Sequence, residues 1–482
     1  MKDYIKNKYI YFYIKLFILF IFISIKFYSL YLKNIINNFF VKNNEKQICE
    51  SILDPIFSFN IRLKSEPYYL CKSPNSYHIC YKNNLTYYWE KDGLLCIMKN
   101  LIINPSFWKE DGFIYNGPVN KKTRGTPLIS KGFFNIKCNM RNKMDNYNKM
   151  YMSYLNSWNY INNDDINFKI EKELFPNKTI FIISRNQDSP NLFHGGSEFI
   201  NAFAIMKILN LKPENIQILF LESMKFKNDP YYDLYRNIIS GGNEPIHIRD
   251  LNSSYHISNA VHIPINWDSP CFTKCPIPKC SYPSLTYLQI YKSILKYMNI
   301  YKFNDSLFYN KEVFYYPKTV KNPNSTKYTK FLTFQWRRPW PQNRKNQDRL
   351  LGDGPDLVDK LSKELPQNIL IRLVDTARLS YFEQILIMQK TDYFIGIHGA
   401  GLFLSIFLPS NSIVHEIKNA NSMNNLHILS IMSGHKSYSD IINSYTKTIN
   451  FNKYIFFNIS ELSKKILLYM KINNIFSLFF HI

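Results

Sequence analysis

His194 and Glu198 stand four residues apart, a spacing that sets an imidazole and a carboxylate on one face of a helix. Such a pair can take the proton of an attacking hydroxyl, which is general-base work. Two other readings fit the same residues: Ser197 as a helix N-cap with Glu198 in the first turn, or half of a metal site. A second segment, His398-Gly399-Ala400-Gly401, follows a short apolar run and opens another. Its glycines let backbone approach a ligand, and the helix after it directs free N–H groups there, which suits a diphosphate. Arg337, Arg338, Arg344 and Arg349 add permanently charged, bidentate donors for the same anion, or form a solvated basic loop. Glu416 is placed to accept hydrogen bonds from two ribose hydroxyls, as acidic residues do in dinucleotide folds. Asp375 ends an apolar run and serves equally well as a turn residue. No Asp-x-Asp triplet is present, since Asp353-Gly354-Pro355-Asp356 has the wrong spacing; a need for manganese or magnesium stays open.

These groups require strands and helices to hold them. Tyr393–Ile397 is predicted as a buried strand, Leu402–Leu408 as an apolar helix closed by Pro409, and Ser412–Ile417 as a second strand, which together make a βαβ unit. Upstream, Phe331–Gln335 and Asn368–Val374 read as strands, with helices at Leu357–Leu365 and Phe382–Gln389. Strands at Lys178–Ser184, Ile216–Leu221 and Ala260–Pro264 alternate with helices at Ser197–Leu211 and Tyr231–Ile239. A helix is also expected over Thr286–Tyr297, and Ile455–Phe457 as a last strand before a helix over Leu462–Met470. Asn322–Thr326 reads as a linker between two such runs. The expected organisation is a lobe over 171–325 and a second over 326–482. A cysteine-containing region with turn signals precedes them over 49–170. Two Rossmann-like lobes with a cleft between them form the GT-B arrangement of nucleotide-sugar transferases, although a fold alone does not establish an activity.

The net charge of +24 comes from 60 Lys and Arg against 36 Asp and Glu, and these charges are scattered apart from the N-terminal segment and the Arg-rich Trp336–Arg349. Nucleic-acid binding would gather them on one face, so that class is set aside. Tyr9–Leu32 is apolar and long enough to span about 30 Å of hydrocarbon, with Lys15 and Lys26 able to snorkel and tyrosines at both ends. Lys2, Lys6 and Lys8 place a tail over 1–8 in the cytosol, and no small-residue cleavage site follows. A signal anchor over 9–32 and a stem over 33–48 are expected, with a cleaved signal peptide as the rival; either sends the body into the secretory lumen. Acceptors for N-glycosylation at Asn84, Asn177, Asn252, Asn304, Asn324 and Asn458 agree with that side. The cysteines divide into Cys49, Cys71, Cys80, Cys96 and Cys138, then Cys271, Cys275 and Cys280. In a lumenal protein they suggest disulfides; the trio lacks the paired spacing of a zinc site.

The segment Ile371–Ile417 resembles the catalytic core of glycosyltransferase family 61, in particular the EGF-domain-specific O-linked N-acetylglucosamine transferases. The residues that carry this are Val374-Asp375, Phe382, Gln384, Thr391 to Gly396, His398 to Leu402, Phe407-Leu408-Pro409 and Glu416. Arg337 and Arg349 resemble the family's arginine pair, and Asn191, His194 and Glu198 its Asn-x-x-His-x-x-x-acid motif. Many members carry Asp where Glu198 stands. The resemblance implies an inverting transferase that moves a sugar from a UDP-sugar to a glycoprotein or glycan hydroxyl. N-acetylglucosamine is the first expectation and xylose the next. An inactive carbohydrate-binding protein of the same fold is the alternative. The chain ends Phe479-Phe480-His481-Ile482 and lacks the KDEL-like tail of the animal enzymes, so a type II membrane protein of the Golgi or endoplasmic reticulum is expected.

Overall fold

The computed structural model describes residues 54–64, 67–81, 95–113, 126–129, 131–140, 158–161, 172–183, 192–221, 231–264, 284–298, 308, 310–336, 350–418, 425–441, 444–449 and 452–479. All belong to one unit, Ile52–Ile482. The expected tail, anchor and stem over 1–48, Cys49, the cysteine trio, Asn84, Asn191, Asn304, Arg337 and Arg349 lie outside the described residues. No helix among the described residues is long and apolar enough to cross a membrane.

Two sheets carry the architecture. In the first, β1 (Tyr68–Lys72), β2 (Tyr77–Tyr81) and β3 (Leu95–Ile103) form an antiparallel run. Four strands then pair in parallel, namely β4 (Thr179–Ile183), β5 (Ile216–Phe220), β6 (Ile246–His247) and β7 (Tyr255–Ile263). Their spatial order is β6-β5-β4-β7-β3-β2-β1. β5 is buried at every position, as expected of a parallel strand covered on both faces. The join at β3 differs from the expectation of a separate N-terminal region. β3 pairs with β7 from Tyr255↔Ile103 to His262↔Cys96, so the cysteine-bearing strands extend the first lobe's own sheet. This makes the first lobe mixed in strand direction, where a Rossmann-like lobe was expected. The disulfide Cys80–Cys96 ties β2 to β3, and Cys71–Cys138 ties β1 to the residue after the strand Phe134–Lys137, which agrees with the disulfide expectation for four of the N-terminal cysteines.

The second sheet contains β8 (Lys330–Gln335), β9 (Ile369–Val374), β10 (Tyr393–Ile397), β11 (Ile413–Ile417) and β12 (Lys436–Asp440), all parallel. Their order is β9-β8-β10-β11-β12, with Phe314–Tyr315 antiparallel at the edge beside β9. Leu332, Phe334, Ile371, Leu373, Ile395 and Tyr393 form its core with Leu357, Val358 and Leu361 of the helix Gly354–Glu364. The helix Tyr381–Gln389 starts at a capping box, in which Ser380 and Glu383 each satisfy the other's backbone N–H. The expected strand Ile455–Phe457 is found as part of Asn452–Phe457, in a small separate sheet with Ser444–Ile449 and Leu350–Leu351. The final helix, Ile459–Phe479, is docked by Lys465 and Tyr469, which both reach Asp440 at 2.5 Å, while His415 contacts the same carboxylate at 3.0 Å.

Candidate functional site

Each parallel array has one place where the strand order reverses, and ligands of open α/β sheets bind outside the carboxyl ends of the strands there. In the first sheet the chain runs β4, β5, β6 outward and returns to β7 on the other side, so the reversal lies between β4 and β7. The helix α1 (Leu192–Ile208) follows β4 and begins at this point. It starts five residues before the expected Ser197, which puts His194 in the first turn and Gly195-Gly196 inside the helix. Ser197 is therefore no cap: its hydroxyl donates to the Phe193 carbonyl at 2.7 Å. Glu198 is 1% exposed. One turn further on, the Asn201 amide donates to the Pro264 carbonyl, just past the carboxyl end of β7. By helical spacing, the face that carries Glu198 and Asn201 is turned toward that strand end.

The second reversal lies between β8 and β10. Gln335 ends β8, and His398 follows β10, its N–H held by the Ile417 carbonyl at 2.8 Å. The expected α-helix Leu402–Leu408 is instead a 3₁₀ coil over Ala400–Phe407, buried from Leu402 onward. Because β10 and β11 are parallel, the segment must run back from the carboxyl end of one to the amino end of the other, and the longer rise per residue of a 3₁₀ coil covers that distance. The first bond within it joins the Leu402 N–H to the Gly399 carbonyl, so the Ala400 and Gly401 N–H groups precede its ladder.

Gly401 has a different use from the one its motif suggests. A Cβ there would lie 1.8 Å from Gln335 Nε2. The space is occupied by the Gln335 amide, which donates to Thr376 Oγ1 at 3.1 Å. Asp375 starts the turn that presents Thr376: its Oδ1 accepts from the Ala377 N–H at 3.2 Å, and Oδ2 lies 3.3 Å from Arg378 Nε. Gln335 and Thr376 were not anticipated. The available signal was a polar residue closing an otherwise apolar strand at its carboxyl end.

Glu416 lies at the end of β11 as expected, but its carboxylate is turned into the protein. Oε1 is 2.5 Å from His398 Nδ1 and Oε2 accepts from the Ser439 hydroxyl at 3.0 Å. At 1% exposure it presents no surface to a ribose, and the expected sugar contact gives way to an internal one. His398 keeps 15% of its side chain exposed.

The two reversals are held against each other by aromatic packing. Gly196, between His194 and Glu198, faces Phe403 so closely that a Cβ would sit 2.2 Å from the ring. Phe193 meets the same ring edge-on at 6.0 Å between centroids. Tyr231 packs beside both Phe403 and Tyr381, and its hydroxyl donates to the Leu192 carbonyl. The segment with the candidate base and the segment with the phosphate-type turn are thus neighbours. A cavity of about 390 Å³ lies elsewhere, at the amino ends of β4 to β6, lined by Lys178, Gln217, Tyr232 and Glu244, which hydrogen-bond among themselves and with Asn243. The motif residues lie at the reversals and not at this cavity. Among the described residues, the one cluster with metal-ligand spacing is His78, Cys80 and Cys96, remote from the motifs in sequence and with its cysteines joined as a disulfide.

No curated protein matches the chain. Residues 248–415, which run from the turn before β7 through β8 and the His398–Gly401 turn into β11, match the family described as Glycosyltransferase 61.

Proposed function

We propose that this chain is an inverting glycosyltransferase of the secretory pathway, which moves a sugar from a UDP-sugar to a hydroxyl of a glycoprotein or glycan. The match of residues 248–415 to the glycosyltransferase family supports sugar transfer in general. The observation that carries the finer reading is the contact of Gly196 with Phe403, which makes neighbours of a carboxylate-bearing helix turn and a phosphate-type turn. We read the two sheets as the lobes of a GT-B fold, with the donor on the second. In this reading the diphosphate meets the Ala400 and Gly401 N–H groups, and Arg337 and Arg349 supply charge. Glu198, with His194, takes the proton of the acceptor hydroxyl as its oxygen bonds to the sugar's anomeric carbon and UDP leaves. N-acetylglucosamine is the first candidate sugar and xylose the second. Tyr9–Leu32 would hold the enzyme as a type II protein of the Golgi or endoplasmic reticulum.

The full-length chain, purified in detergent and offered a panel of UDP-sugars, is expected to transfer or hydrolyse at least one. UDP binding measured by calorimetry with no turnover on any donor would make it an inactive carbohydrate-binding member. Neither binding nor turnover would reject the UDP-sugar reading altogether.

A further inference from the structure

We infer that Gln335 is a positioning residue for the phosphate-type turn: its carboxamide, keyed against Gly401 and tethered to Thr376, sets the direction in which the Ala400 and Gly401 N–H groups meet a diphosphate. This rests on the donor-site reading above and names what holds that site in shape. Gln335 closes β8 opposite Val374 of β9, and on the other side of β8 the pairing with β10 reaches Phe334↔Ile395. Gln335 therefore stands at the reversal, between the turn that follows β9 and the turn that follows β10. Its side chain touches both. Toward β9, Nε2 donates to Thr376 Oγ1 at 3.1 Å, inside the turn that Asp375 caps through the Ala377 N–H. Toward β10, the carboxamide lies over Gly401, where a Cβ would be 1.8, 2.6 and 2.7 Å from Nε2, Cδ and Oε1. Gly396, within β10, is the second wall of this seat, since a Cβ there would come 3.1 Å from Oε1.

One amide thus accounts for the small residue at both positions. The side of Gly401 on which a Cβ would project is filled by Gln335, so a ligand meets this turn through its N–H groups and not across that side. Those N–H groups stand at the start of the 3₁₀ coil, before its ladder begins. Their direction follows the placement of the residues that bear them, and Gly401 is placed by contact with Gln335. The amide is itself constrained: Gln335 is 9% exposed, and its tether Thr376 is 7% exposed. The turn is therefore located by two further strands, β8 through Gln335 and β9 through Thr376, and not by its own backbone alone. Donors fixed in this way before the ligand arrives bind it without the cost of ordering them, and they need not reorganise as charge develops on the leaving diphosphate.

The test is calorimetric titration of the full-length chain with UDP, and with uridine by competition against UDP, since uridine has the ribose and base but no phosphate. We compare wild type with Gln335→Ala, Gly401→Ala, Thr376→Val and the double variant Gln335→Ala/Gly401→Ala. UDP affinity is expected to fall about ten- to hundredfold in Gln335→Ala, the range for weakened hydrogen bonds to a charged group. Gly401→Ala should fall by a similar factor, because its methyl would evict the end of a flexible side chain while the fold is kept. The double variant should lose no more than the weaker of the two single variants, because both changes break one contact. Uridine affinity should stay at the wild-type value throughout. Additive losses would overturn the inference in favour of Gly401 meeting the ligand directly. Unchanged UDP affinity in Gln335→Ala, or an equal fall for uridine, would overturn it as well. Should Gln335→Ala fail to give a cooperative thermal melt, Thr376→Val carries the test: a smaller loss confined to UDP supports the inference, and no loss overturns it. A folded wild-type chain that binds no UDP would reject the donor-site reading itself, and the inference with it.

Discussion

Replacing Gly196 with alanine should destabilise the protein, although alanine is the better helix former. The added methyl would lie 2.2 and 2.3 Å from two Phe403 ring carbons and 2.5 Å from the Tyr231 hydroxyl oxygen. Carbon atoms settle at about 3.5–4.0 Å, so the surroundings would have to open by more than about 1 Å. Neither neighbour has room to yield. Phe403 is fully buried; Tyr231 is nearly so, hydrogen-bonded to Leu192 and packed against Tyr381. Two terms oppose each other. Helix propensity favours alanine by about 1 kcal/mol. Overpacking costs about 1–3 kcal/mol, and displacing the tyrosine hydroxyl adds about 1 kcal/mol. The clash wins, with a net loss of about 2 kcal/mol. A thermal melt followed by circular dichroism should move down by a few degrees. Phe403→Leu in the same background should recover most of that loss, since a smaller side chain leaves space for the methyl. A Gly196→Ala protein as stable as wild type, or more stable, would refute the packing argument.

Glu198→Gln should lower kcat by about 10²–10⁴-fold while leaving UDP affinity within about twofold, as measured by steady-state kinetics beside calorimetry; unchanged turnover would return Glu198 to a structural role. Burial pushes the His435 imidazole down to about 4, with a backbone hydrogen bond near Ser405 opposing the shift. The unfolded chain then binds the extra proton first, so stability is intact above about pH 6.5 and falls by up to about 3 kcal/mol as the pH drops toward 4. Urea midpoints across that range should flatten in His435→Gln, and an unchanged slope would exclude the assignment. Paired Cys→Ser changes should destabilise in the order of the loops released. Closing separations of 16 and 67 residues is worth about 3 kcal/mol for Cys80–Cys96 and about 4 kcal/mol for Cys71–Cys138.

The parallel strands were legible because their signal is local. Tyr393–Ile397 is a continuous apolar run bounded by breakers, and it is found at those residues. The start of α1 was not legible. Ser197-Glu198 imitates a helix N-terminus, and Gly195-Gly196 argues against a helix on propensity alone. The helix includes both glycines because Gly196 lets the Phe403 ring approach, a partner more than two hundred positions away. The strand Lys436–Asp440 was also missed, since KSYSD has no apolar alternation and its positions are only partly buried. That omission concealed the site's inner structure. Glu416 could be recognised as an acid at a strand end, but its partner Ser439 exists only once β12 pairs with β11.

Gly196 and Phe403 also bear on how the two chemical segments keep their distance. Each segment belongs to a different sheet, and each sits where its own strand order reverses. A cleft between two loosely joined lobes would leave their separation to domain motion. Here one helix turn contains His194, Gly196 and Glu198, and one coil contains Ala400, Gly401 and Phe403. A contact between the middle of the turn and the middle of the coil fixes the spacing of everything on either side. The residues that perform this fixing are apolar or aromatic, and none is a candidate for the chemistry. Packed interiors switch between discrete arrangements rather than stretching continuously. Under the proposed reading, a change at Gly196 should therefore disturb donor and acceptor positions together.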